Sequence, residues 1–578
     1  MIMVNTQTQN NSRSIRSFIP ILSWLPAYET TWLRGDLIAA LTVWALLVPE
    51  AMAYAGIAGM PPQTGLYAAP LALIVYAVFG TSRHLHVGPS SAVAALSLSV
   101  VATVAVVGTP EFTTLSIALA FVVGILLIIG GFLKLGVLAD FLSRPVLDGF
   151  VVGVAVSIAV GQLDKVLGFE PAKGYDFIPE TLLIIRDIAQ THIPTFVVGL
   201  VSLLMLFALH KFTPKLPGAL IVLFLAIVTS TVFDFEGIGI HIVGAIPAGL
   251  PPFGIPEGLS LSDLLKIAPG AVGVALVAFA ESVAIARAYS TKYGYEVDAN
   301  QELIATGAAN LGSGFSGGFI VDGSMSRTSA CESSGANSQM VSIVAAIAIL
   351  VTAVALTPLF HNLPEATLGA IVIHAVWHNI NLRKISQYRQ ITSTDFATSV
   401  VAAVGVIMLG LLAGLMLAAF LGLLMLLIGT KNRNTFVLGR AAGTDIYQSI
   451  ENHPESETYP GLLILRFDGT LFYANTPDFI SAIWRAIAVT EPTPKVILID
   501  GESMNGIDAT AVVSLKELQD RLRTTGVEIR LARMKTDVMQ VINRAGLPEV
   551  IPMTHIYPSV QAGVEAYLSE MELIEGNG

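Results

Sequence analysis

Apolar runs recur from about Arg34 to Lys431 with only short gaps between them, more than a soluble core could hide. Of the 578 residues, 54% are hydrophobic and only 13% charged, so most of the chain must live in lipid. Lipid satisfies no backbone polar groups, which leaves packed α-helices as the expected solution for runs of this length. Fourteen candidate spans can be counted. Several are shorter than the roughly 20 residues a plain helix needs to cross. The expected fold is a polytopic α-helical membrane protein.

From about Thr444 onward charged residues become frequent and the pattern turns soluble. Strand-like LLILRF (462–467), KVILID (495–500) and VEIRLA (527–532) alternate there with helical stretches 477–488, 509–524 and 535–545. Such alternation implies a small α/β domain. The expected organisation is an N-terminal segment 1–33, a transmembrane domain 34–431, a linker 432–443 and a soluble domain 444–578.

Topology follows from the basic residues. Residues 1–20 are polar and precede no small-residue cleavage site, so no signal peptide is expected and the N-terminus should stay in the cytoplasm. The gaps then assigned to the cytoplasm hold Arg83, Lys134, Arg144, Lys211, Lys215, Arg287, Lys292, Arg383, Lys384 and Arg389. The opposite gaps near 107–113, 234–261 and 358–364 contain no Lys or Arg. Lys165, Lys173, Arg186 and Lys266 are the exceptions. An even number of spans puts the soluble domain in the cytoplasm too, beneath the cell membrane. The net charge of −11 argues against a nucleic-acid partner.

One stretch inside the apolar region breaks its rule. GGFIVDGSMSRTSACESSG (317–335) is rich in glycine and serine and carries Arg327. An arginine at a helix centre costs about 2.5–3.5 kcal/mol on insertion scales, so something must offset it. An anion is one candidate; a structural ion pair with an acidic neighbour is the other. A second break, GTSRHLHVGPSSAVAAL (80–96), also leads into a short helix of small residues. Each sits third in a set of seven spans, roughly 35–233 and 262–430. Interrupted segments at matching positions of two halves point to a binding site at the membrane midplane. Helix N-termini offer free N–H groups and a positive dipole end, which suits an anion. Ordinary kinks or tight crossings would explain one such break, but less readily a matched pair.

The blocks VPEAMAYAGIAGMPPQTGLYAA (48–69), FGTSRHLHVGPSSA (79–92), GYEVDANQELIATGAANLGSGFSGG (294–318) and SMSRT (324–328) resemble the signatures of the sulfate-permease (SulP) family. The segment DGESMNGIDATAVVSL (500–515) resembles the STAS domain that members of that family carry. The resemblance spans essentially the whole chain. It implies fourteen spans as a seven-plus-seven inverted repeat, a core domain moving against a gate domain, and often a homodimer. Family substrates include sulfate, bicarbonate, chloride, oxalate and dicarboxylates, so the partner is an inorganic or small organic anion.

The resemblance places substrate contacts at the two helix starts, matching Ser326 and Arg327. Thr328 beside them, and Ser90, Ser91 and Ala92 at the first short helix, complete the candidate set. Arginine presents a fork of donors matched to oxyanions, and hydroxyls add neutral donors. For Ser90 and Ser91, small-residue packing is an equal alternative. Glu281 lies inside the apolar run PGAVGVALVAFAESVAIARAY (269–289), and an intramembrane carboxylate is a functional candidate by default. Burial disfavours its charged form whereas a nearby Arg327 would favour it. A bound anion would screen the arginine and make protonation easier, which is the physics of proton–anion symport. Proton-coupled relatives resemble this chain in carrying Glu here; sodium-coupled ones more often carry Asp. A plain Glu281–Arg327 structural pair is the alternative. Glu50 departs from the family's usual Gln after the first-span proline. When ionised it would repel an anion, so it should be protonated or turned away. Tyr54, one turn on, either shapes the same cavity or packs.

Other features read as structure. Asp298 with Gln301 forms a capping box. Gly149/Gly153 and Gly410/Gly414 allow close helix approach. His84, His86, His374 and His378 show no metal-ligand spacing, and Cys331 reads as a packing residue. No phosphate-binding loop, nucleophile–base set or cofactor motif occurs, so neither an enzyme nor an ATP-driven pump is expected. In related regulatory domains a phosphorylated Ser follows the Asp of the turn. Here Asp508 is followed by Ala509 and Thr510, which leaves Thr510 a weak candidate. The expected function is a secondary active anion transporter, with proton-coupled sulfate or a similar oxyanion first and bicarbonate or dicarboxylate second. A transporter-like sensor or scaffold acting through the STAS domain is the reading of another class.

Overall fold

A computed structural model describes residues 18–140, 144–168, 177–213, 217–256, 258–377, 379–429 and 435–576. Lys173, Lys215, His378 and the boundary at Lys431 lie outside them. The chain divides into two compact units at Leu423/Leu424.

Fourteen of the longer or interrupted-segment helices fall on either side of the connection 234–260, the last of them running across the unit boundary. Before it come α1 (Leu33–Ile57), α2 (Pro62–Phe79), α3 (Ser91–Val101), α4 (Pro110–Phe132), α5 (Arg144–Val160), α6 (Ile193–Phe212) and α7 (Gly218–Phe233). After it come α8 (Leu261–Tyr293), α9 (Ala299–Phe315), α10 (Met325–Ser333), α11 (Met340–Val351), α12 (Glu365–Trp377), α13 (Ser393–Leu409) and α14 (Leu411–Gly429). Among the described residues, seven helical stretches are long and apolar enough to cross a membrane. The two third-place helices, α3 with 11 residues and α10 with 9, are too short to do so.

Local chemistry sets the helix starts. Thr109 caps α4 by accepting from the Phe112 N–H, with Pro110 at the first turn where its missing N–H costs nothing. Ser260 caps α8 through the Asp263 N–H. Asp298 caps α9 through the N–H groups of Asn300 and Gln301. The Gln301 amide nitrogen also donates to the carbonyls of Phe18 and Phe79, both at 2.9 Å. Helix contacts then depend on absent side chains. A Cβ on Gly124 of α4 would stand 2.8 Å from the Gly307 carbonyl of α9, and one on Gly307 2.7 Å from that of Gly124. Gly149 and Gly153 of α5 meet the Ser399 and Ala403 carbonyls of α13 in the same way. Gly410 differs from the packing role read for it: its φ of +85° makes the turn between α13 and α14.

The second unit is a six-stranded sheet ordered β10-β9-β7-β5-β3-β4. Its strands are β3 (Thr435–Arg440), β4 (Tyr447–Ser449), β5 (Leu462–Phe467), β7 (Val496–Asp500), β9 (Glu528–Ala532) and β10 (Ile556–Tyr557). A separate pair joins β6 (Gly469–Leu471) to β8 (Met504–Ile507). β5, β7, β9 and β10 are mutually parallel, whereas β3 runs antiparallel to both β5 and β4. Helices α15 (Thr476–Val489), α16 (Ala509–Thr524), α17 (Thr536–Arg544) and α18 (Val560–Gly576) accompany it. The stretch 432–443 read as a linker contains β3, because TFVLGR finds a ladder along the exposed edge of LLILRF.

At the end of β7 the fully buried Asp500 accepts from Arg533 at 2.9 and 2.5 Å. Arg533 itself sits in the left-handed region at φ +52°. Removing it leaves Asp500 only local donors such as the Glu502 N–H. Arg533→Ala is therefore expected to destabilise this domain by about 2 kcal/mol, read as a lower denaturation midpoint of the full chain at an unchanged slope.

Candidate functional site

The two chain breaks pair directly. β1 (Val87–Gly88) runs antiparallel to β2 (Asp322–Gly323), with Val87 opposite Gly323 and Gly88 opposite Asp322. Each strand is pinned by side chains from neighbouring helices. The Asn310 amide of α9 brackets Val321, donating to its carbonyl at 2.8 Å and accepting from its N–H at 3.0 Å. Ser282 of α8 accepts from the Gly323 N–H at 2.9 Å. On the other break, the buried Glu302 accepts from the Thr81 N–H and hydroxyl, the Ser82 N–H and the Tyr76 hydroxyl. The starts of α3 and α10 are thereby brought together.

Arg327, in the first turn of α10, is completely buried. Its Nη1 donates to the Pro89 carbonyl at 2.8 Å, just before α3, and to Glu50 Oε2 of α1 at 3.3 Å. Its Nε and Nη2 have no hydrogen-bond partner among the described residues. That edge is the one with which a guanidinium grips a carboxylate or oxyanion through two parallel bonds. The Ser90 hydroxyl, at the cap of α3, is buried beside Asp322 and makes no hydrogen bond of ordinary geometry to a described residue. Burying unpaired donors is costly, and here two belong to one arginine at adjoining helix starts.

The remaining sequence candidates separate around this point. Glu50 and Tyr54 are buried on α1, and both lie within electrostatic reach of Arg327. Ser91 is buried and Ala92 partly so at the start of α3. Ser326 is exposed and meets the Ser324 hydroxyl at 3.2 Å. Thr328 is fully buried and its Oγ1 accepts from the His86 N–H, so its hydroxyl serves the junction between the breaks. Glu281 on α8 keeps part of its surface open.

Two relationships differ from the sequence reading. Arg327 takes Glu50 as its ion-pair partner, so Glu50 is not turned away. Glu281 faces Asp322 rather than Arg327, and the two carboxyls act on each other's charge. Asp322 was missed. It is fully buried, Ser90 approaches it, and neither of its oxygens receives an ordinary hydrogen bond from any described residue. The signal was present, since an Asp between FIV and G in an apolar setting deserves the reasoning applied to Glu281. His86, read above as structure, joins three elements. Its ring lies 2.7 Å from Cys331 Sγ and 3.0 Å from Ser342 Oγ, tying the first break to α10 and α11. No group of three or more potential metal ligands occurs among the described residues.

A helical bundle in which two short helices converge on a buried arginine has the construction of a membrane transporter. Comparison with known proteins narrows this class. The profile of the sulfate permease family matches residues 33–402, and that of the STAS domain matches residues 453–563. A probable sulfate transporter of Mycobacterium tuberculosis is 34% identical over 543 residues, covering 93% of this chain and 96% of that one. The chloroplastic sulfate transporter 4.1 of Arabidopsis thaliana is 31% identical, over 96% of this chain and 84% of its own. Among solved structures, SLC26A9 superposes with a TM-score of 0.90 at 23% identity, covering 97% of this chain and 94% of that one. The transmembrane domain of the cyanobacterial bicarbonate transporter BicA gives 0.60 at 22% identity, over 68% of this chain and 98% of its own. The chain belongs to the sulfate permease family and carries a STAS domain.

Proposed function

We propose that the protein is a secondary active transporter that moves sulfate, or an oxyanion like it, together with a proton by alternating access. The observation that carries this reading is the unpartnered Nε–Nη2 edge of Arg327, buried where the starts of α3 and α10 meet. Those donors, with the dipoles of α3 and α10, favour a ligand with several acceptor oxygens and negative charge. Relatives named as sulfate transporters support sulfate as the first substrate to test.

Glu281 is the proposed proton carrier. Two facing carboxyls repel each other unless a proton lies between them, and Glu281 is the one of the pair with surface left open, which supports this role. Further parts of the proposal are a cell-membrane location with both termini in the cytoplasm, assembly as a homodimer, and regulation through the STAS domain. In that domain the Asp508 carboxylate caps α16 by accepting from the Ala511 N–H at 2.7 Å, while Thr510 is exposed beside it.

The test is labelled-sulfate uptake into liposomes holding the purified protein, with and without an inward proton gradient, against competing bicarbonate, chloride and fumarate. Gradient-driven sulfate accumulation is expected. Flux of another anion in its place would retain the site and replace the substrate. Absence of any flux would leave the sensor reading standing.

A further inference from the structure

Glu50 and Arg327 form an ion pair in which both side chains are buried. The pair is one-sided. Glu50 reaches only Nη1, which the Pro89 carbonyl also occupies, and the Nε–Nη2 edge stays open. An anion on the open edge would therefore share one guanidinium with a carboxylate that the protein itself supplies. We infer that Glu50 is an internal competitor of the transported anion, and that anion binding takes up a proton at Glu50. This rests on the proposal that Arg327 holds the anion, and it adds a separate site for the proton at the binding step.

The charge count leads to the same place. The titratable and charged groups facing Glu50 are Arg327 of α10 and Tyr54 on its own helix, with Asp322 of β2 facing Tyr54. Glu281 of α8 contacts Asp322, and His86 before β1 lies near Arg327. One guanidinium thus faces two carboxyls, Glu50 and Asp322, with Glu281 beyond Asp322. With Glu50 ionised, its charge cancels that of Arg327 and an arriving anion gains little. With Glu50 protonated, the positive charge is released to the open edge. The step balances: one proton leaves water and bonds to a Glu50 oxygen, one anion leaves water and binds the guanidinium, and no covalent bond to the anion forms.

The experiment is calorimetric titration of the purified full chain with choline sulfate, run in buffers of different ionisation enthalpy. The slope against that enthalpy counts protons taken up per anion. Wild type is expected to take up about one proton per sulfate at neutral pH. Glu50→Gln should lose that uptake, bind sulfate at least about tenfold more tightly at neutral pH, and show an affinity that varies little with pH. Glu50→Ala, monitored with it for a normal elution profile and melting transition, should also lose the proton and guards against a folding defect in either variant. Retained uptake in both variants would overturn the inference. So would uptake that persists in Glu50→Gln and disappears in Glu281→Gln, an outcome that leaves the proton-coupled reading intact. Weaker binding by Glu50→Gln at every pH would make Glu50 a positioning residue and overturn its role as competitor. If sulfate does not bind wild type, the same titrations with chloride, bicarbonate and fumarate test Glu50 without assuming sulfate. Failure of all four anions to bind would remove the reading on which the inference rests, and the inference with it.

Discussion

Arg327→Ala should reduce sulfate uptake to the level of empty liposomes. The substitution removes both open donors of the guanidinium and the only charge at the helix starts that attracts an anion. It also strands Glu50, whose buried carboxyl loses its ion-pair partner. Truncating one member of a buried charge pair costs about 3–5 kcal/mol. The loss to the anion is of the same size, which converts to a fall of more than about a hundredfold in affinity. Arg327→Lys separates charge from shape. A lysine restores a positive charge without the planar fork, so it should recover part of the binding and little discrimination between planar and tetrahedral anions. The measurement is sulfate affinity by calorimetry alongside uptake in liposomes, with a melting transition to show that each variant is folded. Uptake near wild type in a folded Arg327→Ala protein would mean that the anion binds elsewhere.

Periodicity carried much of the fold and a smaller part of the site. In the soluble domain LLILRF is Leu462–Phe467 to the residue, and the helix expected at 509–524 is Ala509–Thr524. The strand is apolar at every position but Arg466 and the helix is amphipathic, so local pattern suffices. β3 was lost to a linker because TFVLGR owes its order to a ladder with β5, and a ladder partner is not written in the strand itself. The two short helices were legible as glycine-rich interruptions at matching positions, and the structure pairs them through β1 and β2. Partnerships across the fold were not legible. Glu50 and Arg327 are 277 positions apart, and a reading along the chain sees two intramembrane charges without their distance. Thr328 looked like a third donor for the anion, yet its hydroxyl accepts from the His86 backbone, a contact 242 positions away. Asp322 escaped for a different reason. The adjoining Arg327 and Ser326 account for the polarity of the whole stretch, and nothing along the chain marks the partner of the carboxylate five residues earlier.

That neutralising partner is the basis of the second large effect. Glu281→Gln should abolish the accumulation of sulfate driven by an inward proton gradient while leaving sulfate exchange at equal pH on both sides. Glutamine keeps the volume of the side chain and can donate its amide hydrogens to Asp322, so the contact between α8 and β2 survives without a proton that can be exchanged. Glu281 is also the member of this pair with surface left open, whereas Asp322 is sealed, so exchange with water should run through Glu281. The coupling follows from the charges. Glu281 acts on Asp322, which in turn faces Arg327, so a proton on Glu281 lightens the negative charge beside the anion site as the loaded carrier crosses. In the variant, sulfate affinity should move by less than about tenfold, because the donors of Arg327 and Ser90 are untouched. Transport should respond to a sulfate gradient alone. The decisive comparison is counterflow of labelled sulfate, which needs no net proton movement, against uptake under a pH gradient in the same vesicles. Loss of both would make Glu281 part of the architecture. Retained acid-driven accumulation would move the proton to another group, and Asp322 and Glu50 are the carboxyls placed to receive it.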